Sequence, residues 1–225
     1  MDLLFMTLLI TFLISSIYAS IGFFMQWKQN LVKAQSLEKA NLEAQYESLK
    51  TQVNPHFLFN SLNTLLSIVQ GHAEAEKYIE NLSEFMRYIL KNRERNSVTL
   101  GEELEVAGQY AYLQKSRFQN KLQITMDVPE KYHLSPIPPL ALQMLIENAI
   151  KHNEISTEHP LGIRLYVIDN EYLVVENTMR KKLDPEHSTG LGLKNIRDRY
   201  QFLLGKDILV KEENGKFIVC LPIEM

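Results

Sequence analysis

The chain has 225 residues, 45% of them hydrophobic and 23% charged, a balance that provides for a packed core and excludes a disordered or fibrous protein. A net charge of −3 gives no bulk attraction for nucleic acid, so no direct nucleic-acid partner is expected. The single cysteine, Cys220, excludes an internal disulfide and a cysteine-rich zinc site.

No charged side chain occurs between Asp2 and Lys28. At ~1.5 Å per residue the apolar run from Leu3 to Met25 reaches ~34 Å, enough to cross a bilayer core of ~30 Å. A cleaved signal peptide would open on basic residues and carry a shorter apolar stretch. Here Lys28 and Lys33 follow the run, which places the C-terminal side in the cytoplasm. The pattern predicts a single-pass helix over residues 3–25 in the inner membrane, N-terminus outside, with Trp27 at the interface. Met1 and Asp2 alone would lie beyond it, leaving no room for an external sensor domain.

Residues 28–52 hold no Gly or Pro and read as a helical stalk. Leu31, Leu42, Leu49 and Val53 fall near one face, which suits a dimer seam or an ordinary solvated connecting helix equally. Residues 53–92 read as two helices around Gly71-His72. The second places Ala75, Tyr78, Ile79, Leu82, Phe85, Met86 and Ile89 on one face. Such a hairpin is too small to bury both faces alone, so a four-helix bundle across a homodimer is expected. The polar stretch from Lys91 to Thr99 is expected to act as a flexible junction.

The remainder, residues 98–225, mixes helices with strands. Helices are predicted over Leu100 to Phe118, Leu140 to His152 and Leu193 to Leu204. Strands are predicted over Lys121 to Val128, Gly162 to Ile168 and Tyr172 to Glu176, the last two turning at Asp169-Asn170. A final pair, Ile208 to Lys211 and Lys216 to Leu221, turns at Asn214-Gly215. The fold class is α+β: an α/β sandwich of helices on a mostly antiparallel sheet.

Three constellations carry chemistry. In the first helix of the hairpin, His56, Asn60, Asn63, Ser67 and Gln70 share one arc, opposite Leu58, Phe59, Leu62, Leu65, Leu66 and Val69. His56 therefore lies in a polar stripe, where a largely neutral imidazole can act as a nucleophile. His72, His133 and His159 have no such setting and read as inert. In the second, Glu147, Asn148 and Lys151 line one face of a helix backed by Leu142, Leu145, Ile146 and Ala149. A carboxylate, an amide oxygen and an ammonium suit a magnesium–polyphosphate ligand, although a solvated helix face has the same composition. The third, Ser188-Thr189-Gly190-Leu191-Gly192-Leu193-Lys194-Asn195, sits where a loop enters a helix. Its backbone N–H groups can approach phosphate, as at any helix start. Lys181 and Lys182, just before it, read as solvated charges.

Taken in order, these residues resemble the LytS-type sensor histidine kinases over about residues 48–224. Gln52-Val53-Asn54-Pro55-His56-Phe57-Leu58-Phe59-Asn60-Ser61-Leu62-Asn63 is similar to the family's phosphoacceptor segment. The resemblance implies that residues 98–225 form an ATP-binding domain of the gyrase–chaperone–histidine kinase type. Glu147-Asn148-Ala149 would be its N-box, with Glu147 catalytic and Asn148 holding Mg2+. Lys151, Gly190, Gly192, Leu193 and Asn195 would contact ATP, and Arg199 would close the helix motif after the lid. The family's Asp-x-Gly-x-Gly is replaced by Glu176-Asn177-Thr178-Met179-Arg180, so either Glu176, one methylene longer, or Asn177 would meet the adenine amine. The resemblance implies autophosphorylation of His56 from ATP and transfer to an aspartate of a response regulator, itself expected to bind DNA. The altered strand end leaves open a pseudokinase scaffold that binds nucleotide weakly or not at all. A gyrase-type ATPase is a more distant alternative, since it would need neither His56 nor the hairpin.

Overall fold

The computed structural model describes residues 16–18, 20–30, 33, 37, 55–92, 95–182 and 191–224, with side chains omitted at 55–57 and 191. The chain divides into two compact units, Met1–Leu58 and Phe59–Met225. The predicted membrane span and stalk fall for the most part outside the described residues. Those that are described there are helical and exposed, including Phe23, Phe24 and Trp27. Among the described residues no helix is long and apolar enough to cross a membrane.

Helix α1 (Pro55–Ile68) and helix α2 (Ala73–Asn92) are joined by a turn in which Gly71 takes a φ of 92°. That left-handed backbone suits glycine. The polar arc Asn60, Asn63, Ser67 and Gln70 is exposed. On the opposite arc Leu62 is buried, while Leu65 stays 46% exposed and the adjacent Ile68 70%.

The two-residue strand β1 (Val98–Thr99) leads into α3 (Leu100–Phe118) through a capping box. Thr99 Oγ1 accepts from the Glu102 N–H at 3.3 Å, and the Glu102 carboxylate accepts from the Thr99 N–H at 2.8 Å. Strand β2 (Leu122–Asp127) follows, then β3 (Pro136–Ile137), α4 (Ala141–His152), β4 (Leu161–Ile168), β5 (Tyr172–Thr178), α5 (Leu191–Leu204), β6 (Leu209–Glu213) and β7 (Lys216–Pro222).

The main sheet runs β2-β4-β5-β7-β6. Only β2 and β4 pair in parallel, because α4 intervenes between them; the other neighbours are antiparallel. The turns at Asp169-Asn170 and Asn214-Gly215 hold both central residues at positive φ, matching the twist of the strands they join. The short β1–β3 ladder, Val98 opposite Ile137 and Thr99 opposite Pro136, is too brief to leave a periodic signal in the sequence.

One core fills the space between the sheet and helices α3, α4 and α5. It includes Leu100, Ala107, Leu142, Leu145, Ile146, Ile163, Leu165, Leu173, Val175, Ile196, Tyr200, Val219 and Leu221. The architecture is thus an α+β layer of helices on a mixed sheet. A smaller cluster of Phe85, Val106 and Leu113, with Tyr88, Ile89 and Tyr110, packs α2 onto the outer side of α3. Phe85 and Tyr110 meet there at 5.3 Å between ring centres.

The expected flexible junction is bridged by contacts. The Asn92 amide, on a buried side chain, donates to the Tyr88 carbonyl at 3.2 Å and accepts from Arg95 at 2.9 Å. Arg95 in turn reaches Glu102 at 3.5 Å. Polarity here reflects a hydrogen-bonded seam between α2 and α3.

Candidate functional site

Helix α4 buries Leu142, Leu145, Ile146 and Ala149, which turns Glu147, Asn148 and Lys151 away from the core. Glu147 is exposed and accepts from the Gln143 side chain at 2.6 Å, one helical turn earlier. Its charge also acts on Tyr110 of α3. Burial, with Glu147 adding to it, pushes the Tyr110 hydroxyl up to about 12.

Asn148 is half-buried and faces the first turn of α5. A Cβ built on Gly192 would stand 3.3 Å from both Asn148 Nδ2 and Oδ1. Gly192 therefore leaves room for the Asn148 amide to lie close against the start of α5, where any side chain would press on it, and two of the three sequence constellations come into contact. Of the other residues of the third constellation, Leu193 packs against the core and Asn195 is exposed. Gly190 lies outside the described residues.

The strand end is decided by alternation. Asn177 pairs with Ile163 of the core on one side and on the other with Phe217, which packs against the core, so it faces the helices. Its amide N–H group donates to the Thr178 carbonyl at 2.7 Å, which orients Oδ1 the other way as an acceptor. Glu176 lies on the opposite face of the sheet. It is 6% exposed, and its carboxylate accepts from Lys216 Nζ and from the Tyr166 hydroxyl, each at 3.0 Å, with Arg164 at 3.8 Å. Burial opposes its ionisation, but the bonds from Lys216 and Tyr166 and the neighbouring charges hold the carboxyl below its usual range.

Beyond β5 the chain is stitched along the end of α4. Asn153 Oδ1 accepts from the Arg180 N–H at 2.7 Å, Glu154 N–H donates to the Arg180 carbonyl at 2.9 Å, and Lys182 N–H donates to the His152 carbonyl at 3.2 Å. Asn153 itself is buried. Arg199 on α5 donates to the Pro139 carbonyl at 3.0 Å, tying α5 to the turn before α4. His56 falls in the first turn of α1, and its side chain lies outside the described ones.

Residues 44–122 match the histidine kinase family model. The sensor histidine kinase/phosphatase LytS of Staphylococcus aureus strains MRSA252 and Mu50 is 31% identical over 215 residues, or 86% of this chain and 37% of theirs. The chain belongs to the histidine kinase family. It spans only 37% of the length of those two relatives. Solved structures of this family also resemble it in part. Acinetobacter baumannii histidine kinase AdeS has a TM-score of 0.40 at 17% identity, over 79% of this chain and 97% of that one. The cytoplasmic segment of histidine kinase QseC has 0.41 at 14%, over 64% and 88%. Membership in the histidine kinase family rests on the sequence matches.

Two residues of this histidine kinase family member carry roles that spacing did not reveal. Asn153 was legible only as part of the α4 motif, and its partner Arg180 comes from another strand end. Glu103 on α3 is fully buried and binds the start of α4; its spacing from Leu100 and Ala107 puts it on the buried face of α3, but the partners that hold it lie on other helices.

Proposed function

We propose that this chain is a membrane-anchored protein-histidine kinase of a two-component system, working as a homodimer that phosphorylates His56. The observation that carries the reading is the contact between Gly192 and the Asn148 amide. Two motifs distant in sequence meet there, an amide oxygen beside a helix start, a pairing suited to a magnesium-bound polyphosphate.

The residues present fit such a ligand. Asn148 Oδ1 is a hard oxygen for Mg2+, Lys151 supplies positive charge, and the start of α5 beside Asn148 favours an anion. Asn177, facing the helix layer with its amide N–H group held by the Thr178 carbonyl, takes the part of accepting from the adenine amine through Oδ1. Glu176 is assigned to the outer face and a structural role. Bound magnesium would neutralise charge on the phosphate oxygens.

In the proposed reaction an imidazole nitrogen of His56 forms the N–P bond as the bond from the γ-phosphorus to its bridging oxygen breaks, and ADP departs. Glu147 accepts the imidazole proton. The phosphoryl group then passes to an aspartate of a DNA-binding response regulator. Residues 3–25 anchor the chain, and the exposed Leu65 and Ile68 on α1 meet a second copy in a four-helix bundle.

The full chain, incubated with γ-labelled ATP and Mg2+, should acquire acid-labile label that His56→Ala abolishes and Asn148→Ala reduces at least tenfold. Label retained by His56→Ala would overturn the reading. The pseudokinase scaffold is favoured instead if calorimetry finds no magnesium-dependent binding of an ATP analogue.

A further inference from the structure

Helix α4 begins under strain and without a cap of its own. Leu140, its N-cap residue, adopts φ 65° and ψ 12°, a left-handed conformation that is unfavourable for a leucine, and its side chain makes no capping bond. The cap comes from another helix. Glu103, 0% exposed on α3, accepts from the Leu140 N–H at 2.6 Å through Oε1 and from the Leu142 N–H at 3.2 Å through Oε2. Its Oε1 also accepts from the hydroxyl of Tyr88, near the end of α2, at 2.7 Å. One carboxylate thus joins the last turns of α2 to the first turn of α4. Arg199 holds the same turn from α5 through the Pro139 carbonyl.

A charged side chain with no exposure is costly unless every lone pair is used, so the arrangement tolerates little displacement of either helix. Asn148 lies about two helical turns along the same rigid rod, ~12 Å from the capped end. A shift or rotation of α2 that moves the Tyr88 hydroxyl must therefore either break a buried bond or carry the start of α4 with it.

We propose that Glu103 is a positioning residue through which the end of α2 sets the placement of α4 and Asn148, so that the hairpin controls nucleotide binding. This rests on the reading of Asn148 as a nucleotide contact. Coupling between sites is reciprocal: if α2 biases the nucleotide site, bound nucleotide must equally bias α2.

The test uses the full chain in detergent, with Mg2+ and a non-hydrolysable ATP analogue. Amide hydrogen exchange in residues 85–92 and analogue affinity are measured for the unsubstituted chain, Tyr88→Phe and Glu103→Gln. In the unsubstituted chain the analogue should slow exchange at the end of α2. Tyr88→Phe keeps the cap on α4 but cuts the link, so it should lose that slowing and bind about fivefold more weakly, at the lower end of usual coupling. Glu103→Gln keeps one acceptor oxygen for the helix start and should retain part of the slowing.

A purely stabilising hydroxyl would lower the melting temperature of Tyr88→Phe and leave the nucleotide-dependent slowing intact. That result overturns the inference, as does analogue binding to the unsubstituted chain with no change at α2. Failure of the unsubstituted chain to bind the analogue at all would overturn the nucleotide reading and this inference together.

Discussion

Two buried glutamates show how little a residue's identity says about its role. Glu176 holds a carboxylate that two hydroxyl or ammonium donors stabilise as the anion on the outer face of the sheet. For Glu103, burial is the largest influence and raises the carboxyl above the usual range, against the hydrogen bonds from Tyr88, Leu140 and Leu142. The two therefore respond to acid with opposite signs. The contribution of Glu176, whose folded value is depressed, is complete above the unfolded value of about 4.3 and fades as pH falls through the folded one. Glu176→Gln should cost roughly 1–3 kcal/mol at pH 7, the scale of a buried polar bond to a charged group. Denaturant unfolding at pH 7 and pH 3 should show that difference shrinking in acid.

At the scale of elements, α4 and α5 are ordinary amphipathic helices whose meeting makes the candidate site. Gly192, in the first turn of α5, is tolerated at a helix position because the space beside it is already taken by Asn148. Gly192→Ala should leave thermal stability unchanged or higher, since alanine is the better helix former by ~1 kcal/mol. The same substitution should weaken binding of an ATP analogue about tenfold, ~1.4 kcal/mol, by pushing the Asn148 amide aside. Opposite signs in the two measurements separate a displaced ligand contact at Asn148 from a packing defect; parallel losses would refute that contact. The capping box at Thr99 offers a control remote from the site. Thr99→Ala should cost ~1 kcal/mol of stability with nucleotide affinity unchanged.

At the scale of the whole molecule, a single copy leaves Leu65 and Ile68 of α1 exposed beside a buried Leu62. In the proposed homodimer this partly covered apolar stripe would meet the matching stripe of a second copy by symmetry. Ile68→Asp should shift the full chain from dimer to monomer in analytical ultracentrifugation. It should also lower His56 labelling if the phosphoryl transfer needs both copies.

The alternation of α1, the amphipathic face of α2, the paired turns at Asn170 and Asn214, and the strands of the β5–β7 ladder are all consequences of local period and turn chemistry. They were open to reading along the chain. So were the residue types at His56, Asn148 and Gly192, because their chemistry is intrinsic to the side chain. What the sequence left open was which of Glu176 and Asn177 faces the helices. A strand's two faces differ only through what packs on them, and Ile163 and Phe217 settle it for Asn177. The Glu103 staple was closed to reading for the same reason, since its partners Tyr88, Leu140 and Leu142 reach it from two other helices. Local pattern fixes what each segment can be, whereas the placement of buried polar groups depends on contacts between segments that only the folded chain creates.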